Sequence, residues 1–388
     1  MNLTETQIAV RKLLIAIAVM TFIYYSGRFL IIQGINAYNK IFPKEPAAPE
    51  ARFGPLPKLK MTSISIPVKP QYVLDTVDGK LPVFQDRIAV YQIIQPQTTL
   101  LSEQKIKQLA KDMFFTGAYT KISASEFKWV DGTNSRTFQA NAITRNFSLD
   151  TDSNKLSNVM AATGSITQKD AESKVLSFIK SKTLFNSTDL EHITTSSIAA
   201  EVLFGILEES GTAADSSKLI KINIYRYLEA SPATKTKKAI TYQILGPDPK
   251  NSLASFFTTN DSSYFKFPII DFTYWDVDYE DKSNYYLSPI EQVWTAVTEG
   301  KGITAYLKTS RSDYFGSQEN LDIVKVEIRD IYLAYYEPAE FVKYLQPIYV
   351  FEGQFETSNF EGQLPQQGEI TIYYPAIRGD FVKSTTEN

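Results

Sequence analysis

Residues 288–309, SPIEQVWTAVTEGKGITAYLKT, contain the most distinct helix start in the chain, followed directly by a strand-like run. Ser288 suits the N-cap, Pro289 the first helical position and Glu291 the acidic position of a capping box. Apolar residues at helical spacing then continue to Gly300, where glycine favours a helix end. The stretch therefore predicts a helix that packs across antiparallel strands, which is an α+β arrangement.

The same order of elements recurs earlier in the chain. Helices are predicted to begin near Ser102 and near Thr167, and several strand-like runs follow each of them. Residues 131–134, DGTN, lie between two such runs and predict a β-hairpin, because Asp-Gly favours the tight turn between antiparallel strands. The fold class predicted for the chain is therefore α+β, with an N-terminal transmembrane helix and then helices packed on antiparallel β-sheets.

The transmembrane helix is predicted from an apolar stretch at residues 13–32, LLIAIAVMTFIYYSGRFLII, which is long enough to cross a bilayer. Arg28 is its only charged residue, and residues suited to cleavage are poorly placed after it, which favours an anchor over a cleaved signal peptide. Arg11 and Lys12 precede the stretch and favour a cytoplasmic N-terminus. We expect a single-pass protein of the cell membrane, anchored in the lipid bilayer by residues 13–35, with its bulk extracytoplasmic.

Proline-rich sequence follows the apolar stretch and predicts an extended stalk. The remainder divides into three units that are alike in pattern but show no sequence repeat. The predicted organisation is a cytoplasmic tail at 1–12, the transmembrane helix at 13–35, the stalk at 36–60, and α+β units at 61–160, 161–283 and 284–388.

Composition excludes several classes of function. The net charge is −3 and Lys and Arg form no basic block, so we predict no nucleic-acid partner. The chain has no cysteine and one histidine, His192, which excludes disulfides, thiol catalysis and sites that need two histidines. The sequence contains no phosphate-binding loop, dinucleotide fingerprint or nucleophile elbow. We therefore predict no cofactor and no catalytic residue.

The C-terminal third resembles a known group of proteins. It contains the short strand YYLSP, the capped helix EQVWTAVTEGKG, the strand end LAYYE at 333–337 and YLQPIYVFEG at 344–353. This order is similar to that of PepSY-type domains and of the related YycH/YycI-type regulatory proteins. The resemblance implies PepSY-like units behind one membrane helix. It also implies a non-catalytic extracytoplasmic region that interacts with a cell-wall-sensing histidine kinase.

Four acidic residues in the stretch YWDVDYED, at 274–281, are candidate calcium ligands. Calcium prefers about six to eight oxygen ligands from a tight loop, but the loop glycine and the later bidentate glutamate of an EF-hand are missing. Strand alternation instead favours a solvated face that carries the first three of them. The candidates are Asp276, Asp278, Glu280 and Asp281.

Tyrosines cluster in the C-terminal strands, where an exposed aromatic surface could bind a peptide or a glycan. Tyr335 and Tyr336 would point to opposite faces of a strand, so we expect one of them to face solvent. The alternative is that the aromatic rings fill the core beneath the helix at 289–299. The candidate partner-binding residues are Tyr335, Tyr336, Tyr344 and Tyr349.

The predicted function is that of a non-catalytic, membrane-anchored regulatory or scaffold protein of the cell envelope. It would bind an envelope or membrane protein through its β-rich domains. One alternative is a glycosidase-like envelope hydrolase, in which the carboxylates of 276–281 work with Glu337 or Glu352 as an acid/base pair. Another is an inhibitor or assembly chaperone of a neighbouring secreted enzyme.

Overall fold

The computed structural model describes the main part of the chain in five ranges. The chain divides into two compact units, Met1–Pro49 and Glu50–Asn388, and the fold described below is that of the second. The described residues are 51–209, 215–231, 240–309, 321–358 and 365–383, together with Met20, Thr21, Tyr24, Tyr25, Gly27 and Arg28.

The predicted transmembrane helix falls in the first unit. Most of residues 13–35 lie outside the described residues, as do the predicted tail at 1–12 and the first part of the stalk, 36–50. Within the described ranges, no helix is both long and apolar enough to cross a membrane. The described residues therefore contain no transmembrane helix, and the membrane location and orientation stay predictions.

Strands are the main regular elements of the second unit. In the described ranges they are β1 (Gln71–Leu74), β2 (Arg87–Ile93), β3 (Tyr119–Lys121), β4 (Glu126–Asp131), β5 (Arg136–Asn141), β6 (Phe147–Thr151), β7 (Ile166–Thr167), β8 (Ile193–Leu203), β9 (Ile206–Glu209), β10 (Ser216–Ser217), β11 (Leu219–Ser231), β12 (Ile240–Leu245), β13 (Ala254–Thr258), β14 (Ile269–Phe272), β15 (Val277–Tyr286), β16 (Ile303–Thr309), β17 (Ile323–Tyr336), β18 (Tyr344–Thr357) and β19 (Gln367–Pro375).

Shorter helical elements accompany the strands. The α-helices of the second unit are α1 (Ser102–Asp112), α2 (Ser153–Ala162), α3 (Gln168–Lys182), α4 (Ser187–Glu191) and α5 (Ile290–Ala296). A π-helical turn, Val297–Lys301, continues α5, and a 3-10 turn covers Gly379–Phe381.

Several local predictions are confirmed. The Thr167 side chain caps α3 by accepting a hydrogen bond from the Asp170 N–H at 3.1 Å. The turn at 131–134 joins β4 to β5, which pair antiparallel. Helix α5 begins one residue later than predicted, because Pro289 occupies the N-cap position and no side chain caps the helix.

Row A is the set of strands β3-β4-β5-β6-β14-β13-β11-β8-β9, and all of its pairs are antiparallel. Apolar residues of α1 and α3, such as Ile106 and Val175, pack against one face of row A and form core A. Helix α2 packs on the opposite face, where Leu156 contacts a smaller apolar cluster. Row A is therefore covered on one face by α1 and α3 and, at β8, β11 and β13, on the other face by α2.

Row B is the set β1-β17-β18-β19-β16 with β12 beside β17, and it carries the second core, core B. Strands β1 and β12 pair with β17 in parallel, and β2 pairs with both β18 and β15. A side chain at Gly353 in β18 would overlap the carbonyl oxygen of Glu327 in β17, so glycine permits this close approach. Strand β11 of row A pairs with β8 and β13 and also with β12. Because β12 pairs with β17 of row B, β11 and β12 link the two rows.

The predicted fold class, in which helices pack on separate antiparallel sheets, is wrong. The chain is α+β only in the coarse sense, since 17 of the described strands join one large mixed sheet. Strands pair across the predicted unit boundaries, as β6 does with β14 and β1 does with β17. Helix and strand periodicities are local signals, whereas strand pairing joins distant segments, so the periodicities could not distinguish one sheet from three.

Candidate functional site

The four tyrosines predicted to bind a partner lie in the protein interior. Tyr335, Tyr336 and Tyr349 are at most 2% exposed, and Tyr344 is 8% exposed. The Tyr335 hydroxyl donates to the carbonyl oxygen of Ala89 at 2.6 Å. Core B covers one face of row B and a smaller apolar cluster covers the other. The expectation that Tyr335 or Tyr336 faces solvent is therefore wrong.

The four acidic residues predicted as calcium ligands contact different partners. Asp276 accepts a hydrogen bond from the asparagine amide at the N-cap of α4 at 2.6 Å, and Asp281 pairs with Arg52. Asp278 accepts from the N–H groups of Glu280 and Asp281 at 3.1 and 3.0 Å. Over the described part of the chain, no group of three or more acidic, cysteine or histidine side chains could hold a metal ion.

The two glutamates considered for a hydrolase are also engaged. Glu352 accepts a hydrogen bond from the Tyr332 hydroxyl at 3.0 Å. Glu337 is buried and forms an ion pair with Arg226. Burial raises the pKa of Glu337, and the Arg226 guanidinium acts in the opposite direction. Both glutamates are therefore engaged within the fold, and neither is a free partner for the carboxylates of 276–281 in an acid/base pair.

Glu337 belongs to a buried polar group that we call the Arg226 cluster, made up of Asp189, Arg226, Tyr274, Tyr279 and Glu337. In this cluster Arg226 of β11 lies between two carboxylates. Its Nη1 donates to Asp189 Oδ2 at 2.9 Å and its Nη2 donates to Glu337. Asp189 lies in α4 and Glu337 directly follows β17. The cluster therefore ties an element beside row A to the end of a strand in row B.

The charged groups of the Arg226 cluster all have partners. The hydroxyls of Tyr274 and Tyr279 donate to the two oxygens of Asp189, the former at 2.7 Å. Burial lowers the pKa of Arg226, but the carboxylates of Glu337 and Asp189 outweigh burial and the net direction is upward. The cavity beside Arg226 measures only about 20 Å³, which leaves room for about one water molecule. These features are typical of a structural link.

A second buried arginine, Arg136, has no comparable partners. It begins β5 and is 2% exposed. Its Nη2 donates to the Met113 carbonyl oxygen at 3.2 Å, whereas Nε and Nη1 have no hydrogen-bond partner among the described residues. The guanidinium carbon lies 4.8 Å from the ring centre of Phe115 and 5.8 Å from that of Phe265. Because arginine has about five N–H donors, most of its hydrogen-bonding capacity is unused.

The carboxylate of Asp131, in the same hairpin as Arg136, is occupied by other hydrogen bonds. Asp131 stands opposite Arg136 in the β4–β5 pair. Its carboxylate accepts hydrogen bonds from the backbone and side-chain N–H groups of Asn134, at 3.1 and 2.8 Å. Burial lowers the pKa of Arg136 to about 10, and Asp131, Tyr264 and Asp261 act in the opposite direction. The charge of Arg136 is thus only partly balanced inside the protein.

Arg136 lines a pocket of about 390 Å³, which we call the Arg136 pocket, between the C-terminal ends of α1 and α3 and the loop 262–267. This volume lies within the usual range for small-molecule sites. The lining includes the cations Arg136, Lys182 and Lys266 and one carboxylate, that of Asp112, which pairs with Lys182 at 2.6 Å. The excess of positive charge favours a negatively charged ligand.

Strand alternation contains the signal by which both buried arginines could have been found. Arg136 is in phase with the buried Phe138, and Arg226 is in phase with the buried Ile224. A cation in phase with buried apolar residues is expected to be buried as well. The alternation does not say whether a carboxylate from elsewhere in the chain will meet it.

Comparisons with known proteins add little. No protein-family model matches the chain, and no curated protein matches it. Among solved structures, the crystal structure of an uncharacterized protein from Eubacterium rectale ATCC 33656 covers 76% of this chain and 85% of its own, with 11% identity and a TM-score of 0.36. A similarity at this level carries no argument about function. The resemblance to PepSY-type domains and YycH/YycI-type proteins therefore stays a prediction.

Proposed function

We propose that the protein is a non-catalytic binding protein whose Arg136 pocket recognises a negatively charged group on its ligand. The observation that carries the proposal is the buried guanidinium of Arg136, with Nε and Nη1 unpartnered among the described residues. One hydrogen bond and two ring contacts leave the buried charge of Arg136 only partly balanced, which is destabilising. An oxyanion in the pocket would supply the missing hydrogen bonds and the opposite charge.

A regulatory or scaffold role in the cell envelope, with an envelope or membrane protein as partner, stays a prediction from the sequence. The Arg136 pocket adds the chemistry of the group that would be bound. A carboxylate or phosphate group on a partner or on a small ligand would meet the same three cations.

The proposal is tested by isothermal titration of the full chain with inorganic phosphate at low ionic strength. Arg136→Met removes the guanidinium but keeps an unbranched apolar side chain. Arg329→Met is the matched control, because Arg329 is 48% exposed and lies in a surface ion pair with Asp75. All three proteins are first shown to unfold cooperatively.

We expect the wild type and Arg329→Met to bind phosphate with the same Kd. We expect Arg136→Met to bind roughly tenfold more weakly or worse, because a hydrogen bond to a charged group contributes about 1.5–3 kcal/mol. Equal affinity of Arg136→Met and the wild type would refute the proposal.

A further inference from the structure

Phe114, another residue of the Arg136 pocket, has an unfavourable backbone conformation. It follows α1 with a φ of +66°, and its N–H donates to the Lys111 carbonyl oxygen at 2.9 Å. The next N–H, that of Phe115, donates to the Ala110 carbonyl oxygen at 2.9 Å. Glycine is the usual residue in this helix-ending conformation, and a bulky side chain is disfavoured there. Phe114 is also 40% exposed, so part of its ring is left uncovered by the fold.

The Phe114 ring is paired with a second exposed ring. Tyr264 is 43% exposed, and the two ring centres lie 4.9 Å apart with planes tilted by 39°. Both residues line the Arg136 pocket. Because Arg136 is buried whereas these rings are exposed, the pocket has a positive charge at its deep end and two aromatic rings at its mouth.

Other residues next to the pocket also have left-handed backbones. Ser135, which precedes Arg136, has a φ of +52°, and Thr183, which follows Lys182, has a φ of +49°. Strained backbone conformations of this kind cluster at functional sites. Their positions agree with ligand binding at the pocket but do not indicate the kind of ligand.

We infer that the Arg136 pocket takes an oxyanion attached to an aromatic ring, that is, an aryl carboxylate or an aryl phosphate. The oxyanion contacts the free donors of Arg136, and the ring packs against Phe114 and Tyr264 at the mouth. This inference rests on the proposed function and adds the chemical class of the ligand. It also gives a reason for a phenylalanine at position 114, where the backbone conformation favours glycine.

The test compares two pairs of probes on the full chain by isothermal titration: phenyl phosphate with inorganic phosphate, and benzoate with acetate. Phe114→Gly removes the ring and places the favoured residue in the left-handed conformation. Phe204→Gly is the matched control, because Phe204 has a φ of +51° and is 97% exposed at the turn between β8 and β9. Phe204 is not among the residues that line the Arg136 pocket.

We expect the wild type and Phe204→Gly to bind the aromatic member of at least one pair roughly tenfold more tightly, the factor that ring packing supplies. In Phe114→Gly this ratio falls toward one, because only the Tyr264 ring remains, while the affinity for inorganic phosphate is kept. A ratio close to one in the wild type, or a ratio that Phe114→Gly leaves unchanged, overturns the inference. Neither result touches the proposed function, which fails only if phosphate binding does not depend on Arg136.

Discussion

The two buried arginines of this protein occupy similar positions and have opposite surroundings. Each lies in a strand of row A, in phase with buried apolar side chains. Arg226 is held by two carboxylates, those of Asp189 and Glu337. Arg136 makes one hydrogen bond, to a carbonyl oxygen, and has two nitrogens without a partner in the described residues.

This difference separates a structural charge from a charge that is open to a ligand. Removing one partner of a buried, satisfied ion pair leaves the other groups unpaired and is strongly destabilising. Removing a buried charge that has no ion-pair partner relieves a desolvation penalty instead. Removing Arg226 should therefore lower the free energy of unfolding, whereas removing Arg136 should raise it or leave it unchanged.

The largest effect is expected at Arg226. Arg226→Met leaves the carboxylates of Asp189 and Glu337 buried without their cation, and the free energy of unfolding should fall by about 3–5 kcal/mol. Urea denaturation followed by fluorescence measures this loss. Arg329→Met should change stability by less than about 0.5 kcal/mol, as surface substitutions do. A loss below about 1 kcal/mol for Arg226→Met would mean that the cluster is not a structural link.

A smaller loss is expected for one hydroxyl of the same cluster. Tyr279→Phe removes a hydrogen bond to the buried carboxylate of Asp189 and should lower the free energy of unfolding by about 1.5–3 kcal/mol. Tyr242→Phe is the control, since the Tyr242 hydroxyl only accepts a hydrogen bond from the exposed Gln85 amide. If both variants lose the same amount of stability, the Asp189 carboxylate does not depend on its tyrosine partners.

The left-handed phenylalanines should give a modest gain. Phe204→Gly relieves a conformation that disfavours L side chains by about 1–2 kcal/mol, and glycine flexibility offsets about 0.5–1 kcal/mol of it. The expected gain is therefore about 0.5–1 kcal/mol, measured by urea denaturation. Phe114→Gly should gain less, because it also loses the contact with Tyr264. A larger gain at Phe114 than at Phe204 would contradict this reasoning.

The smallest effect is expected for an exposed ion pair. His192 Nε2 lies 3.0 Å from Glu229 Oε2, and its Nδ1 lies 2.9 Å from the Thr188 carbonyl oxygen. The hydrogen bond to Thr188, followed by that to Glu229, raises the pKa of His192 above its ordinary value of 6.5. Stability from this pair is present below pH 6.5, the unfolded value, and is lost as pH rises through the higher folded value.

A substitution at His192 measures that pH dependence. The difference in free energy of unfolding between the wild type and His192→Gln should be below about 1 kcal/mol at pH 5.5 and should shrink towards pH 8.5. Thermal unfolding at the two pH values, with Arg329→Met as control, provides the comparison. A difference that grows with pH would contradict the assigned sign.

The sequence predicted local features better than distant contacts. The start of α3 at Thr167 and the hairpin at 131–134 depend on neighbouring residues, and both are confirmed. The pairing of β1 with β17 joins segments far apart in the chain, and no local pattern encodes it. The same limit explains the tyrosines, since alternation cannot tell that row B is covered on both faces.

The candidate site could be predicted only in part for the same reason. Alternation places Arg136 and Arg226 in phase with buried residues, and this signal could have indicated two buried cations. The carboxylates that hold Arg226 come from 37 and 111 residues away. Nothing in the local sequence distinguishes an arginine that meets such partners from one that does not. The free donors of Arg136 became visible only with the fold.

The most direct test of the account is the free energy of unfolding of the wild type and of Arg136→Met, each with and without saturating phenyl phosphate. Without ligand, Arg136→Met should be at least as stable as the wild type, because it removes a buried charge that has no ion-pair partner among the described residues. With ligand at a hundred times the wild-type Kd, the wild type should gain about 2.7 kcal/mol, and a variant that binds tenfold more weakly should gain about 1.4 kcal/mol. A variant that loses stability as Arg226→Met does, or that gains as much from the ligand as the wild type, would contradict the account.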